Sequence, residues 1–410
     1  MGKSFSQEND FKYSINGFVE IDHFSFFKEK RDFINHRNQS LLQLNIKSDF
    51  NDNFSFFSSV EFRNDLSDSR RDRIYLKEAF IDMFFPKIDL RIGKQVILWG
   101  KADGFNPTNN LIPTDYSDIL DTDGEEIGIL SANAKFYVND WQIQGIFSPA
   151  FQASVFPSFN SRWQQNYPSL LSYNGLNLPT HFLWNNTEMH GNVFSDSQFA
   201  FKVSRNLKNL DFSFSYYNGL NDIPLIYNKI ESVINDTINI SITQNYYKHQ
   251  VIGIDFSYIL EKYVIKGEGA FFIPNSPKEA KTYFQYALGF DRAFNNIIYD
   301  KSLFVIVQWI QELKVKNLEY SSKDLNHLFQ KNIMSRIEME LNRNMKLSLQ
   351  LVYALKYEDF YIKPEFKYNI SDGLNLNLST DILGGNKSKE GFFSSYSDNT
   401  RVQIKLKYNF

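Results

Sequence analysis

Along most of this chain large apolar residues recur at every second position. In 345–356, Met345, Leu347, Leu349, Leu351, Tyr353 and Leu355 alternate with Lys346, Ser348, Gln350, Val352, Ala354 and Lys356. In the last segment Val402, Ile404, Leu406, Tyr408 and Phe410 alternate with Arg401, Gln403, Lys405, Lys407 and Asn409. A period of two marks a strand whose two faces meet different surroundings. Read from end to end, the pattern predicts eighteen strands: near 13–26, 39–50, 53–64, 73–85, 88–99, 127–138, 141–150, 196–206, 209–218, 247–260, 262–273, 281–293, 300–313, 330–342, 345–356, 359–370, 373–384 and 398–410. Most are close to the roughly nine to eleven residues that a tilted strand needs to cross a bilayer.

The connections supply a second pattern. Asn51-Asp52, Pro86-Lys87, Asn139-Asp140, Lys208-Asn209, Glu261-Lys262, Asn295-Asn296, Arg343-Asn344 and Ser371-Asp372-Gly373 are all short, and each follows an even-numbered strand. Longer segments, notably 99–126, 151–195, 219–246 and 314–329, follow odd-numbered ones. Strict alternation of short turns and long loops is the habit of outer-membrane barrels, whereas a soluble sandwich has no cause to keep it. The pattern therefore predicts one all-β domain over 1–410: a transmembrane antiparallel barrel with both termini at the short-turn, periplasmic end.

Composition fits this reading. There are 40 Phe and 23 Tyr, yet mean hydropathy is -0.39, because the remaining positions are rich in Asn, Ser, Asp, Lys and Gln. No window approaches the roughly twenty apolar residues of a spanning helix; the best run, Leu303 to Ile310, is broken by Gln308. The chain has no cysteine, and a net charge of -3 gives no reason to expect a nucleic-acid partner. Met1 to Ser6 lacks the apolar run of a signal peptide and is read as replacing one. It also matches a myristoylation pattern on Gly2, a match that an exported barrel would not use. No plug domain is expected ahead of the first strand.

The stretch LRIGKQVILWGKADGFNPTNNLIPTDY, Leu90 to Tyr116, resembles a motif of porin-like outer-membrane proteins related to the alginate-export type. The matching positions are Gly93, Lys94, Gln95, Trp99, Gly100, Asp103, Gly104, Asn106 and Pro107. The resemblance implies an outer-membrane channel of a Gram-negative bacterium, and a terminal Phe410 read by the barrel-assembly machinery. It leaves cargo open, and alginate is disfavoured because its channel should be strongly basic.

Parity then names the inward face. Glu61 and Arg63 share a side with Ser55 and Ser59, and Glu78, Asp82, Arg91 and Gln95 continue it on the next two strands; with Trp99, Lys101 and Asp103 these are the pore or constriction candidates. A second charged set comprises Arg336, Glu338, Glu340, Lys346, Lys363, Glu365, Lys367, Asp381, Arg401, Lys405 and Lys407. Either set is a transverse field that orients solutes or a ladder of ion pairs that holds strands in register. Mixed signs predict weak ion selectivity. Segment 99–126 either folds into the lumen or packs on the rim. Loop 151–195 is too apolar to be freely exposed, and Phe156, Phe159, Trp163, Tyr167, Phe182 and Trp184 are candidates for a plug, a cap or a local cluster.

The six histidines, His23, His36, His181, His190, His249 and His327, sit in no nucleophile or metal pattern, so neither an enzyme nor a metal or other cofactor is expected. The expected partners are outer-membrane lipid and lipopolysaccharide, the assembly machinery, and a partner protein or further copies of the chain. The expected function is passive passage of small or medium solutes. The alternative is a non-conducting barrel that scaffolds a partner protein or lipoprotein.

Overall fold

The computed structural model describes residues 12–29, 35–121, 124–157, 161–164, 167–184, 196–276, 280–298, 301–313 and 325–410. Strands appear where alternation placed them. They are β1 (Lys12–Phe26), β2 (His36–Asn51), β3 (Phe54–Asp65), β4 (Arg73–Phe85), β5 (Ile88–Gln95), β6 (Ile129–Val138), β7 (Trp141–Ser148), β8 (Leu170–Tyr173), β9 (Leu176–Trp184), β10 (Gln198–Asn206) and β11 (Leu210–Leu220). The second half adds β12 (Leu225–Ile234), β13 (Thr237–Asn245), β14 (Lys248–Leu260), β15 (Tyr263–Pro274), β16 (Tyr283–Ile298), β17 (Lys301–Leu313), β18 (Asn332–Asn342), β19 (Met345–Ala354), β20 (Asp359–Ser371), β21 (Leu374–Gly385) and β22 (Arg401–Asn409).

All of these except β8, β9, β12 and β13 join one 18-stranded sheet, in which each strand runs antiparallel to its neighbours. Pairing of β1 with β22, from Phe18 opposite Asn409 to Phe26 opposite Arg401, closes the sheet on itself. Closure leaves no free edge, as a wall inside hydrocarbon requires. Phe410 completes the seam, its backbone N–H and C=O each bonding Gly17 at 3.0 Å.

The faces are distributed inversely to those of a soluble protein. Along β1, Ile21 is 55% exposed on the outside while its neighbour Asp22 is 1% exposed within. The same parity puts Ile74, Phe199, Phe214, Ile252 and Leu288 outside, and Glu61, Arg63, Asp255, Gln308 and Arg401 inside. Outward grease and inward charge are what a bilayer-spanning barrel needs.

Most ends shift by one to three residues, as where β2 begins at His36 rather than 39, and four differences from the sequence reading bear on the interior or the loops. The wall strand expected over 88–99 ends at Gln95, because Glu78 captures the backbone N–H of Val96 at 2.8 Å and the chain turns inward. The strand expected over 281–293 runs on to Ile298 through an irregularity after Phe294, so Asn295-Asn296 is not the hairpin tip. The last strand starts at Arg401 rather than 398, after a short helical turn, α1 (Phe392–Ser395). Finally, the supposed loops 151–195 and 219–246 carry β8, β9, β12 and β13. These form a separate four-stranded sheet in the order β12-β13-β9-β8, with β9 and β13 parallel. Their hairpins turn at Asn174-Gly175 and Asn235-Asp236, all four residues at positive φ, the geometry that tight two-residue hairpins demand.

Candidate functional site

The segment between β5 and β6, described over 96–121 and 124–128, runs across the inside of the barrel and is held by opposite walls. On one side the Glu268 carboxylate of β15 accepts the backbone N–H groups of Lys101 and Ala102 and the hydroxyl of Thr108. Lys101 pairs with Asp211 of β11, and Asp103 with Lys266 of β15 at 2.8 Å. Gly100 and Gly104 have φ of 109° and 85°, and a Cβ on either would meet the Glu268 carboxylate or the Met334 side chain. Only glycine makes both the turn and the close approach.

The segment then reaches the other wall with a series of carboxylates. Arg37 of β2 and Arg401 of β22 both donate to Asp118 at 2.5 Å, while their Nε atoms hold Asp65 at 2.6 Å and Asp381 at 2.7 Å. Phe24 lies under both guanidiniums, 4.8 and 4.5 Å from its ring centre. Arg73 of β4 pairs with Asp115 at 2.6 Å and Glu125 at 3.1 Å. Arg63 of β3 links Glu125 to Glu61.

Burial would raise the Asp118 carboxyl, but Arg401 and Arg37 beside it hold it well below the usual carboxylate range. Asp115 is likewise lowered, its burial outweighed by hydrogen bonds from Ser117 and the charge of Arg73. Glu125 goes the other way, because burial outweighs Arg63 and Arg73. The carboxylate shared by two arginines is therefore the firmest point of the clamp.

The nine constriction candidates divide by task. Glu61 and Arg63 belong to the clamp, Glu78 marks the departure, and Lys101 and Asp103 fix the far side. Gln95 and Trp99 anchor a chain of amides, in which the Trp99 indole donates to Gln144 at 3.1 Å, Gln144 to Asn133 at 2.9 Å, and Asn133 to Gln95 at 3.2 Å. Asp82 and Arg91 make a two-point ion pair nearer the short turns, at 2.6 and 3.0 Å. Parity did not single out Arg37, Arg71, Arg73 or Glu268, nor the segment's own Asp115, Asp118, Asp121 and Glu125. The signal available was charge matching: an acidic run on the loop and a basic run, Arg70 to Arg73, beside it.

The plug candidates are scattered. Trp163 is buried 5.7 Å from Tyr396 and beside Arg401, inside the long-loop mouth. Phe156 stacks on Tyr116 of the crossing segment at 6.0 Å. Tyr167 packs on Phe182 at 4.6 Å, and Phe182 and Trp184 belong to β9 of the separate sheet. Phe159 lies outside the described residues. Among the described residues, the loop contributes to the lumen through its first part.

Among the described residues, a small apolar cluster of Ala153, Leu220 and Tyr246 and two large ones occupy the long-loop half. One joins Ile97, Trp99, Leu111 and Ile112 to wall residues such as Ile146, Val251 and Phe272. The other joins Ala102 and Trp163 to Ile310, Met334, Tyr361 and Phe392. Toward the short turns two polar recesses remain. One, of about 710 Å³, is lined by Arg91, Lys101, Lys135, Lys202 and neighbouring amides; the other, of about 440 Å³, by Glu20, Lys363, Lys367, Lys405 and Lys407 among others. Of the histidines, His23 and His36 stack on each other at 5.8 Å, while His249 and His327 are buried against tyrosines. Among the described residues no group of His, Cys, Asp or Glu is arranged to hold a metal ion.

No protein-family model matches the chain, and no curated protein matches it. Among solved structures it is similar to mutants of the Rh. blastica porin, at 9% identity with TM-scores of 0.47 and 0.48, over 97% of this chain and 100% of that one. It is also similar to Salmonella typhi OmpF in complex with daunomycin, at 10% identity with a TM-score of 0.45, over 98% of both chains. The fold described above rests on the chain's own strand pairing.

Proposed function

We propose that this barrel is a channel of the outer membrane of a Gram-negative bacterium, passing small polar solutes down their gradient, with segment 96–128 setting the bore. One observation carries the proposal: a charged inner wall is crossed by a segment clamped at both sides, with polar recesses left beneath it. A non-catalytic role follows from that reading. So does a residence in which lipid and lipopolysaccharide cover the apolar exterior and the assembly machinery reads Phe410.

The likeness of Gly93 to Pro107 to the alginate-export type gains support from where those residues lie. Gly93 and Gln95 close β5, and Gly100, Asp103 and Gly104 make the inward turn. The second reading, a plugged barrel that scaffolds a partner, is favoured by the large clusters packed into the long-loop half and by the separate β12-β13-β9-β8 sheet.

Swelling of liposomes carrying the purified protein separates the two. The channel reading expects swelling in arabinose and slower swelling in larger uncharged sugars. Failure to swell in any sugar, with the protein inserted and folded, is the result expected of a plugged scaffold.

A further inference from the structure

The charges near the short turns are not evenly mixed, and their placing matters more than their number. On β18, Glu338 is shared by Arg336 at 2.5 Å and Lys346 at 2.6 Å. On β1, Glu20 is shared by Lys405 at 3.0 Å and Lys407 at 3.6 Å. Glu365 of β20 takes Lys367 at 3.0 Å and two neutral donors, Ser348 and Asn377. Glu340 stands opposite Lys346 across the strand pair and offsets one charge, and Asp22 lies 3.9 Å from Lys405. Lys363 adds a further ammonium to the recess that Glu20, Glu365, Lys367, Lys405 and Lys407 line, and Lys346 adjoins it opposite Lys367.

Depth separates the signs. The Lys367 and Lys346 side chains are 49% and 37% exposed, whereas those of Glu365 and Glu338 are 13% and 15% exposed. The carboxylates lie against the wall and the ammonium groups stand out from it. The recess is also lined by Glu61, Glu125 and Asp121; the first two are 3% and 10% exposed and held by Arg63 and Arg73, and Asp121 offsets part of the charge of Lys405. Lys346 and Lys367 also face each other directly across β19 and β20. Like charges in that position destabilise a sheet by themselves, and a broken local rule of this kind often marks a functional place.

We propose that the inner wall of β18 to β22, with Lys346, Lys363, Lys367, Lys405 and Lys407, is a cationic track that attracts small anions, inorganic or carboxylate, into the barrel. The inference deepens the channel reading and rests on it for transport, but not for binding. The adjoining recess of about 440 Å³ has room for such an ion with part of its water, and Asn375 and Asn377 offer it amide donors. By depth, this stretch of wall turns its ammonium groups toward the recess and its carboxylates toward the barrel wall.

The reversal potential of the reconstituted protein in a potassium chloride gradient tests this. The wild type is expected to favour chloride, and to favour it less near 1 M salt, where screening shortens to about 3 Å. Lys346→Gln with Lys367→Gln should move the potential toward zero, while the two Lys→Arg replacements keep it. Lys363→Gln, which breaks no ion pair among the described residues, should give a smaller shift and serves if the double variant does not fold. Phosphate line width in phosphorus NMR, measured with the detergent-solubilised protein, reads binding without transport. Broadening that the lysine-to-glutamine variants abolish supports the track even if no current flows, in which case the channel reading alone fails. A wild type that prefers potassium, or line widths and potentials indifferent to these lysines, overturns it.

Discussion

Asp118 is the residue on which the crossing segment most depends. It is buried between Arg37 and Arg401, each of which also serves a wall carboxylate. Removing the shared charge leaves two buried guanidiniums short of a partner, and breaking a buried pair in this way costs about 3–5 kcal/mol. Asp118→Asn should therefore lower the thermal midpoint of the purified barrel clearly at neutral pH. Its carboxyl is depressed in the fold, so the stability it confers is fully present above the unfolded value of about 3.9 and is lost only as pH falls below it. The gap between wild type and variant should accordingly be constant near neutrality and narrow in strong acid. Equal midpoints at neutral pH would remove Asp118 from the clamp. Glu125, whose carboxyl is raised by burial, should be the milder loss as Glu125→Gln.

At the scale of elements, the wall strands and the separate sheet should respond differently to deletion. Leu225 and Asn245 are paired, so 226–244 can be replaced by a short turn without stretching the chain. The shortened protein should still show heat-modifiable migration on gels, since β12 and β13 pair with no wall strand; loss of the folded band would contradict that independence. The wall was legible because lipid on one side and water on the other impose a period of two on every strand. The separate sheet in the loops was not. β8, β9 and β12 alternate weakly and are exposed along most of their length, whereas β13 alternates strictly, with Ile238, Ile240 and Ile242 buried; its signal was in the sequence but fell inside a segment read as loop. Asn174-Gly175 between apolar residues was the available hairpin signal. Likewise Glu61, Arg63, Glu78 and Gln95 could be placed inside by parity alone. That Asp118 meets Arg401 could not, because 283 positions separate them and only closure of β1 on β22 brings them together.

At the scale of the molecule, three features act together. Closure satisfies the backbone within the bilayer, the inverted faces match lipid and water, and the clamped segment divides the space that closure creates. Closure and the faces make a wall; on the proposed reading, the segment decides what passes it. Arg37, Arg73 and Arg401 on one side and Glu268 on the other should keep it across the lumen, so that the barrel behaves as a narrower pipe than its strand number implies.

Single-channel conductance in planar bilayers measures this most directly, comparing the wild type with a chain carrying Asp118→Asn and Glu268→Gln, which loosens the segment at both walls. Small, steady steps for the wild type and larger, noisier ones for the double variant are the predicted result. Steps of the same size in both proteins would mean that the segment does not govern the passage.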